Sequence, residues 1–464
     1  MATWTLFYTR CVERVRAVDA AWRWALGVYA GARIFYTLWA FGVMLLVPNV
    51  LQNLDLFGAP IVAAFDVASG ERFVFLRAVN GRVLTFRANG DATLLDNETQ
   101  SVWSLRQGLA IHGALAGTKL NTAPYTAEDV FPYRGVAAER GWFGVWQRFD
   151  VLWYQAIAER GYGATVGDIH FPPFFPLLES GLGKILGGRF FLAGWIISQL
   201  ALVWSLALLF QITARWRDAR AAKRAALFLI LFPTAFFFFT AYSEALFLLL
   251  TLLCFRALDG ARWTWAGFFA FLAILTRLQG VALAAPLAYY VWRSYRAEKK
   301  ISFAQIFMLA LPLGAGAFYL FLRAAAGESA IVPTNEPQLN ARLAPPWENF
   351  MYAVQTLASG KFLFADVLNL SVFVLALFML WRGWHALPRA HALYVAATLL
   401  AASVRLVDTQ PLNSMTRYLL TLFPLFMLLA YWSKNHWVER AVVYISLPLN
   451  LFLTAQFLLW GWVA

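Results

Sequence analysis

The sequence predicts an all-α polytopic membrane protein with a large first external loop, and three observations carry that expectation. Of 464 residues, 61% are hydrophobic and 14% charged, with a mean hydropathy of +0.60, a balance foreign to soluble globules. Apolar runs long enough to cross a bilayer recur along the whole chain. The lysines and arginines behind the formal net charge of +13 sit in short blocks between those runs, not along one face. Such blocks read as topology signals, so membrane lipids are expected partners and nucleic acid is not.

A span needs about 20 mostly apolar residues, fewer where Trp or Tyr anchors its ends, and on that rule about eleven helices are expected. They lie near 26–49, 188–212, 223–239, 243–258, 263–276, 280–295, 301–323, 362–381, 391–405, 417–432 and 440–462. Several middle spans are short, which suits broken or re-entrant helices. The basic connections are 215–224, 256–262, 293–300, 382–389 and 434–440, every second loop. Placing them and the N-terminus in the cytoplasm satisfies the positive-inside rule. The segments 50–187, 240–243, 277–279, 324–360 and 406–416 then fall on the far side, and residues 1–464 read as one membrane domain. Residues 12–26 read as a helix lying at the interface and Arg33 as an interfacial anchor. Charges spread through 10–24 ahead of a long apolar run argue against a cleaved signal peptide. Cys11 and Cys254 are the only cysteines, so neither a disulfide nor a cysteine metal site is expected.

The first external loop, 50–187, has two parts. A β-rich part over 60–110 contains an alternating apolar and polar stretch from Glu71 to Asp96 around Asn80-Gly81 and Asn89-Gly90, each a hairpin signal, which predicts a small β meander. A second part over 140–180 returns to helical spacing across 142–160, with Trp142, Trp146, Phe149, Trp153 and Ile157 on one side. That amphipathic helix is expected to lie on the membrane surface. Pro172, Pro173 and Pro176 predict an extended or turning chain after it. No longer-range internal repeat is visible.

The polar residues with chemical potential lie on that external side. Asp150 stands among aromatic rings, where partial burial would suit a carboxylate to act as a general base; the plainer alternative is an ion pair with Arg148 or Arg160. Glu159 with Gly161 and Gly163 fits a helix C-terminal turn. Asp168 and His170 precede the prolines and are candidates to line the same cavity. Arg277 and Arg417 sit at the external ends of apolar helices, where a guanidinium needs a partner: the phosphate of a lipid carrier or, by snorkelling, a lipid headgroup. Glu244 opens a helix, a place that suits a cap as well as a functional carboxylate. Asn97-Glu98-Thr99 is a glycosylation triplet given no weight. The sequence has no Gly-rich phosphate loop, no Cys or His metal spacing and no Gly-x-Ser-x-Gly elbow, which leaves nucleotide hydrolysis and serine chemistry unsupported.

Phe149-Asp150 followed by Trp153-Tyr154, Ile157-Ala158-Glu159, Gly161-Tyr162 and Phe174-Phe175-Pro176-Leu177 resembles the Trp-Asp, Ile-Ala-Glu-x-Gly-Tyr and Phe-Phe-Pro-Leu signatures of PIG-V-type mannosyltransferases. Phe232-Pro233-Thr234 through Tyr242-Ser243-Glu244, Thr276-Arg277 to Gly280, and Arg417-Tyr418 with Phe423-Pro424 resemble the same family in the same order. The resemblance covers most of the chain after residue 140 and the first span. Three departures stand beside it: Phe-Asp in place of Trp-Asp, the run Phe-Pro-Pro-Phe-Phe-Pro, and the β-rich insertion at 60–110.

The resemblance implies a GT-C-type bundle and a bacterial relative of the eukaryotic enzymes that mannosylate GPI-anchor precursors. It further implies Asp150 as catalytic base, a polyprenyl-phosphate sugar as donor and a glycan or glycolipid as acceptor. Substrate contacts are then expected at Arg277, Arg417, Glu244, His170, Asp168, Trp153, Tyr154 and Tyr418. A donor with one phosphate requires neither cofactor nor metal, although Asp168 leaves a divalent ion open. The rivals are a transporter or lipid flippase, which would show two similar halves, and a non-catalytic subunit of a glycosylation complex.

Overall fold

The computed structural model describes residues 2–47, 49–56, 58–66, 71–90, 92–123, 141–163, 168–325, 341–407, 410–461 and 463. The stretches 124–140, 164–167 and 326–340 of the expected external loops, and the side chains of Cys11 and Trp142, lie outside the described residues. The chain is mostly helical with small antiparallel sheets. Five of its described helices are long and apolar enough to cross a membrane: Val18–Leu46, Phe190–Trp216, Phe303–Ala325, Phe364–Gly383 and His436–Leu458. The first of these belongs to one unbroken 45-residue helix, Ala2–Leu46. The separate surface helix expected over 12–26 is absorbed into it, because no proline interrupts the chain before Pro48.

The described residues cluster into two compact units, one from 34–152 with 452–462, the other from 1–33, 153–451 and 463–464. In the smaller unit, β1 (Asn49–Leu56), β2 (Ala59–Asp66) and β3 (Arg72–Leu76) form an antiparallel meander. Then β4 (Ala78–Val79) and β5 (Arg82–Val83) make a hairpin, and β6 (Phe86–Ala88), β7 (Thr93–Asp96), β8 (Val102–Ser104) and β9 (Leu109–His112) a second meander. Asn80 and Gly81 turn the hairpin with φ of +51° and +75°, as a two-residue turn demands. The second Asn-Gly pair opens a longer loop, closed by Thr93 N–H donating to the Gly90 carbonyl at 2.8 Å. The β region thus runs from Asn49 to His112, wider than the alternation suggests, around a core of Val62, Phe86, Leu94, Trp103 and Leu105. The buried Asp96 carboxylate accepts from the Trp103 indole at 2.8 Å, the Thr99 hydroxyl at 2.8 Å and the Ser101 N–H at 3.1 Å.

The helix expected over 142–160 is broken. One turn, Gly141–Gly144, is followed by irregular chain, and the helix Asp150–Arg160 starts only after Phe149 adopts φ of +52°. The cause is Arg148, fully buried, whose guanidinium donates to the carbonyls of Gly144 (3.0 Å), Gln147 (3.2 Å) and Leu458 (3.1 Å) and lies 4.7 Å from the Trp460 ring. The carbonyls of Gly144 and Gln147 are among those that an unbroken helix would have used itself.

In the larger unit the short spans expected in the middle of the chain are short helices, interrupted where proline or glycine forbids continuation. Pro233 ends Ala219–Leu231, and a 3-10 segment Ala235–Phe239 leads to the helix Glu244–Asp259. Trp263–Thr276 stops at Arg277, whose backbone is extended, and the 3-10 segment Leu278–Leu283 folds back over the helix end. Gly280 permits that fold, since a Cβ there would sit 2.8 Å from the Ile274 nitrogen. The single span expected over 417–432 is split into Met415–Leu420 and Phe423–Trp432, with Pro424 in the first turn of the second. Three interruptions, at 232–243, 277–283 and 421–422, hold or adjoin the candidate functional residues. Irregular backbone at membrane depth is tolerated only where protein or a lined cavity surrounds it. Pro176 lies inside the helix Phe174–Ile185, in its first turn, where its missing N–H has no intrahelical role. Arg33 donates to the Phe239 carbonyl at 3.0 Å and lies 4.9 Å from the Trp195 ring.

Candidate active site

In the larger unit Glu244, Arg277 and Arg417, distant in sequence, converge on one carboxylate oxygen. Glu244 Oε1 accepts from Arg417 Nε at 2.8 Å and Nη2 at 2.7 Å, and lies 2.9 Å from Arg277 Nη1. The glutamate side chain is wholly buried, and the arginines keep 12% (Arg277) and 6% (Arg417) of theirs exposed. Two guanidiniums and one carboxylate give the cluster a formal charge of +1. Breaking such a buried pair costs roughly 3–5 kcal/mol, because a bare charge would remain. The cluster is extended by Ser243, whose hydroxyl accepts from Arg277 Nη1 at 3.2 Å and lies 2.7 Å from the Tyr154 hydroxyl. Phe237 and Tyr242 flank the Arg417 guanidinium at 4.9 and 5.1 Å.

Each member is placed by a helix end. Glu244 is the first residue of Glu244–Asp259, where the helix N-terminus favours a carboxylate, and Ser243 is its N-cap. Arg277 caps Trp263–Thr276, and Arg417 sits in the short Met415–Leu420 helix. Tyr154 belongs to Asp150–Arg160 and packs edge-on against Phe175 at 4.8 Å and Phe171 at 5.1 Å.

The remaining expected site residues fall in three places. Asp150 opens the helix Asp150–Arg160 and is half-buried. Glu159 lies near its end, which Gly161, at φ of +80°, closes as expected. Trp153 is half-buried and stacks on Phe171 at 5.8 Å. Asp168 and His170 form a 3-10 turn: Asp168 accepts the Gly163 N–H at 2.8 Å, and the carbonyls of Ile169 and His170 accept from Tyr319. Asp168 is thereby a loop staple. Tyr418 is half-buried beside Arg417 in sequence, and its carbonyl accepts from Thr421. The structure therefore joins Glu244, Arg277, Arg417 and Tyr154, and leaves Asp168 and His170 in a turn of their own. Among the described residues no three His, Cys, Asp or Glu side chains gather as metal ligands would.

Two buried polar residues gave no sequence signal of a role. Ser243 stood only as a letter in Tyr-Ser-Glu. Glu179, one turn beyond Phe175, is wholly buried with neither oxygen hydrogen-bonded among the described residues. Burial pushes its carboxyl well above the usual carboxylate range.

No curated protein and no solved structure matches the chain. The family model described as Mannosyltransferase (PIG-V) matches residues 174–313, a stretch that holds Ser243, Glu244 and Arg277 and excludes Asp150, Tyr154 and Arg417. Over that stretch the chain is similar to PIG-V-type mannosyltransferases, and the match, with the apolar helices, supports a membrane glycosyltransferase.

Proposed function

We propose that the chain transfers a hexose, mannose by the family match, from a polyprenyl-phosphate sugar to a lipid-linked or glycan acceptor with inversion at the anomeric carbon. The observation that carries the reading is the buried arginine pair bridged by Glu244. A net charge of +1 in a largely buried site suits one phosphodiester anion, and preformed guanidiniums stabilise the charge that grows on the leaving phosphate. In the reaction Asp150 takes the proton of an acceptor hydroxyl, whose oxygen attacks the anomeric carbon. The bond from that carbon to the phosphate oxygen breaks, and polyprenyl phosphate leaves with the electron pair. Half-burial and position at a helix start favour Asp150 for this role. The positive-inside pattern favours a cytoplasmic N-terminus and a site on the extracytoplasmic face.

The test is transfer of labelled mannose from polyprenyl-phosphate mannose by purified protein in detergent, beside Asp150→Asn and with GDP-mannose as control donor. Transfer from the lipid donor alone, abolished in the variant, is the expected result. Transfer from GDP-mannose, or an active Asp150→Asn enzyme, would overturn the donor or the base.

A further inference from the structure

We propose that the two arginines divide their work: Arg277 is the phosphate ligand, while Arg417 with Glu244 positions it. This rests on the reading of the cluster as a phosphate site and goes beyond it by separating residues that sequence reasoning treats alike.

Arg417 is spent on the protein. Its Nε and Nη2 both point at Glu244 Oε1, which uses the side-on edge of the guanidinium, and Phe237 and Tyr242 lie against it at 4.9 and 5.1 Å. Arg277 is spent only in part. One nitrogen, Nη1, reaches both Glu244 and Ser243, while Nε is buried with no hydrogen-bond partner among the described residues. Its side chain is twice as exposed as that of Arg417, 12% against 6%. An unmade bond from a buried cationic N–H is costly, and an Nε edge is the part of arginine that grips a phosphate with two parallel bonds. Glu244 explains why the pair is stable while empty. Its carboxylate offsets the repulsion between the guanidiniums and holds Arg277 by one nitrogen, leaving the Nε edge to the ligand. A bound phosphodiester brings the formal charge from +1 to zero.

The experiment measures binding of farnesyl phosphate, a short polyprenyl phosphate, to the full chain in detergent by calorimetry, with thermal unfolding recorded on the same samples. Arg277→Lys keeps the charge and loses the fork. It is expected to weaken binding about tenfold, the worth of one charge-assisted hydrogen bond, with an unchanged unfolding midpoint. Arg417→Lys is expected to lower the midpoint and weaken binding less. In a Glu244→Gln background Arg417→Lys should change affinity no further, whereas Arg277→Lys should keep its full effect. Equal losses for the two arginines, or a larger loss for Arg417→Lys with additive effects, overturn the division. If Arg417→Lys does not fold, Arg277→Lys alone decides, since native-like binding overturns the proposal. Failure of the native chain to bind farnesyl phosphate removes the phosphate reading itself, a result distinct from native binding with equal variants.

Discussion

The hydroxyls of Tyr154 and Ser243 lie 2.7 Å apart, both buried, and join parts of the chain 89 residues distant. Because Arg277 donates to the same serine oxygen, this contact ties Tyr154 to the guanidinium cluster within the larger unit.

Tyr154→Phe tests that link with little damage to packing, since the ring keeps its contacts with Phe171 and Phe175. One neutral hydrogen bond is worth about 0.5–1.5 kcal/mol, so the unfolding midpoint should move only slightly. Mannosyl transfer is expected to fall about three- to tenfold, with Ser243→Ala behaving alike and the double variant no worse than either, as for residues that act as a unit. Additive losses in transfer rate would show that the pair does not work together.

Arg148 should be among the most sensitive positions of the smaller unit. Arg148→Met keeps a long side chain and strands the carbonyls of Gln147 and Leu458, while that of Gly144 keeps the Gln147 N–H. Unsatisfied buried groups cost about 1–3 kcal/mol each, so destabilisation of several kcal/mol is expected, with Arg148→Lys between variant and native. Hydrogen exchange over 143–152 reads this locally. Native-like protection in Arg148→Met would refute the account of the helix break.

Asp96 organises the second meander, and its titration sets a pH limit. Burial alone would raise its pKa, but hydrogen bonds from Trp103, Thr99 and Ser101 more than offset this and hold the carboxyl below its usual value. A depressed carboxylate stabilises the fold above its unfolded pKa of about 3.9, and the contribution disappears as pH falls through the folded value. Asp96→Asn should therefore loosen the segment 86–112 at pH 7, by about 1–3 kcal/mol for bonds to a charged group, and by less at pH 3, below the unfolded value. Exchange protection of that segment at the two pH values is the measurement; a difference that is constant with pH would remove the charge from the explanation.

How much of this was legible depends on how local the cause is. The first Asn-Gly hairpin, the glycine stop after Glu159 and long helices such as Phe303–Ala325 and Phe364–Gly383 follow from neighbouring residues, and they appear close to where the spacing puts them. The break before Asp150 does not, because its cause is a guanidinium reaching a carbonyl 310 residues away. Arg277, Arg417 and Glu244 were readable as costly charges at helix ends, yet nothing in their spacing says that they share one oxygen. The full count of eleven spans went unresolved for a related reason: hydropathy cannot tell a continuous helix from two short ones joined at Pro233 or Pro424.

Glu179 gives the last prediction. Its carboxyl lies against Gly194, where a Cβ would meet the Glu179 Oε1 at 3.0 Å and the Ala241 methyl at 3.2 Å, so the glycine makes room for an acid with no hydrogen-bond partner among the described residues. Ala241 adjoins Tyr242, which covers Arg417. The sign of the Glu179 pH effect follows from a raised folded pKa. Above the usual value of 4.5 the unfolded chain loses its proton while the folded chain keeps it, so stability is full at low pH and falls as pH rises toward the folded value. The slope is about 1.4 kcal/mol per pH unit. Glu179→Gln cannot titrate and should abolish that slope, so its advantage over the native chain grows as pH rises above about 5, as read by unfolding midpoints in detergent. Parallel curves for the two proteins would mean that Glu179 is ionised in the fold, and burial would then not hold its proton.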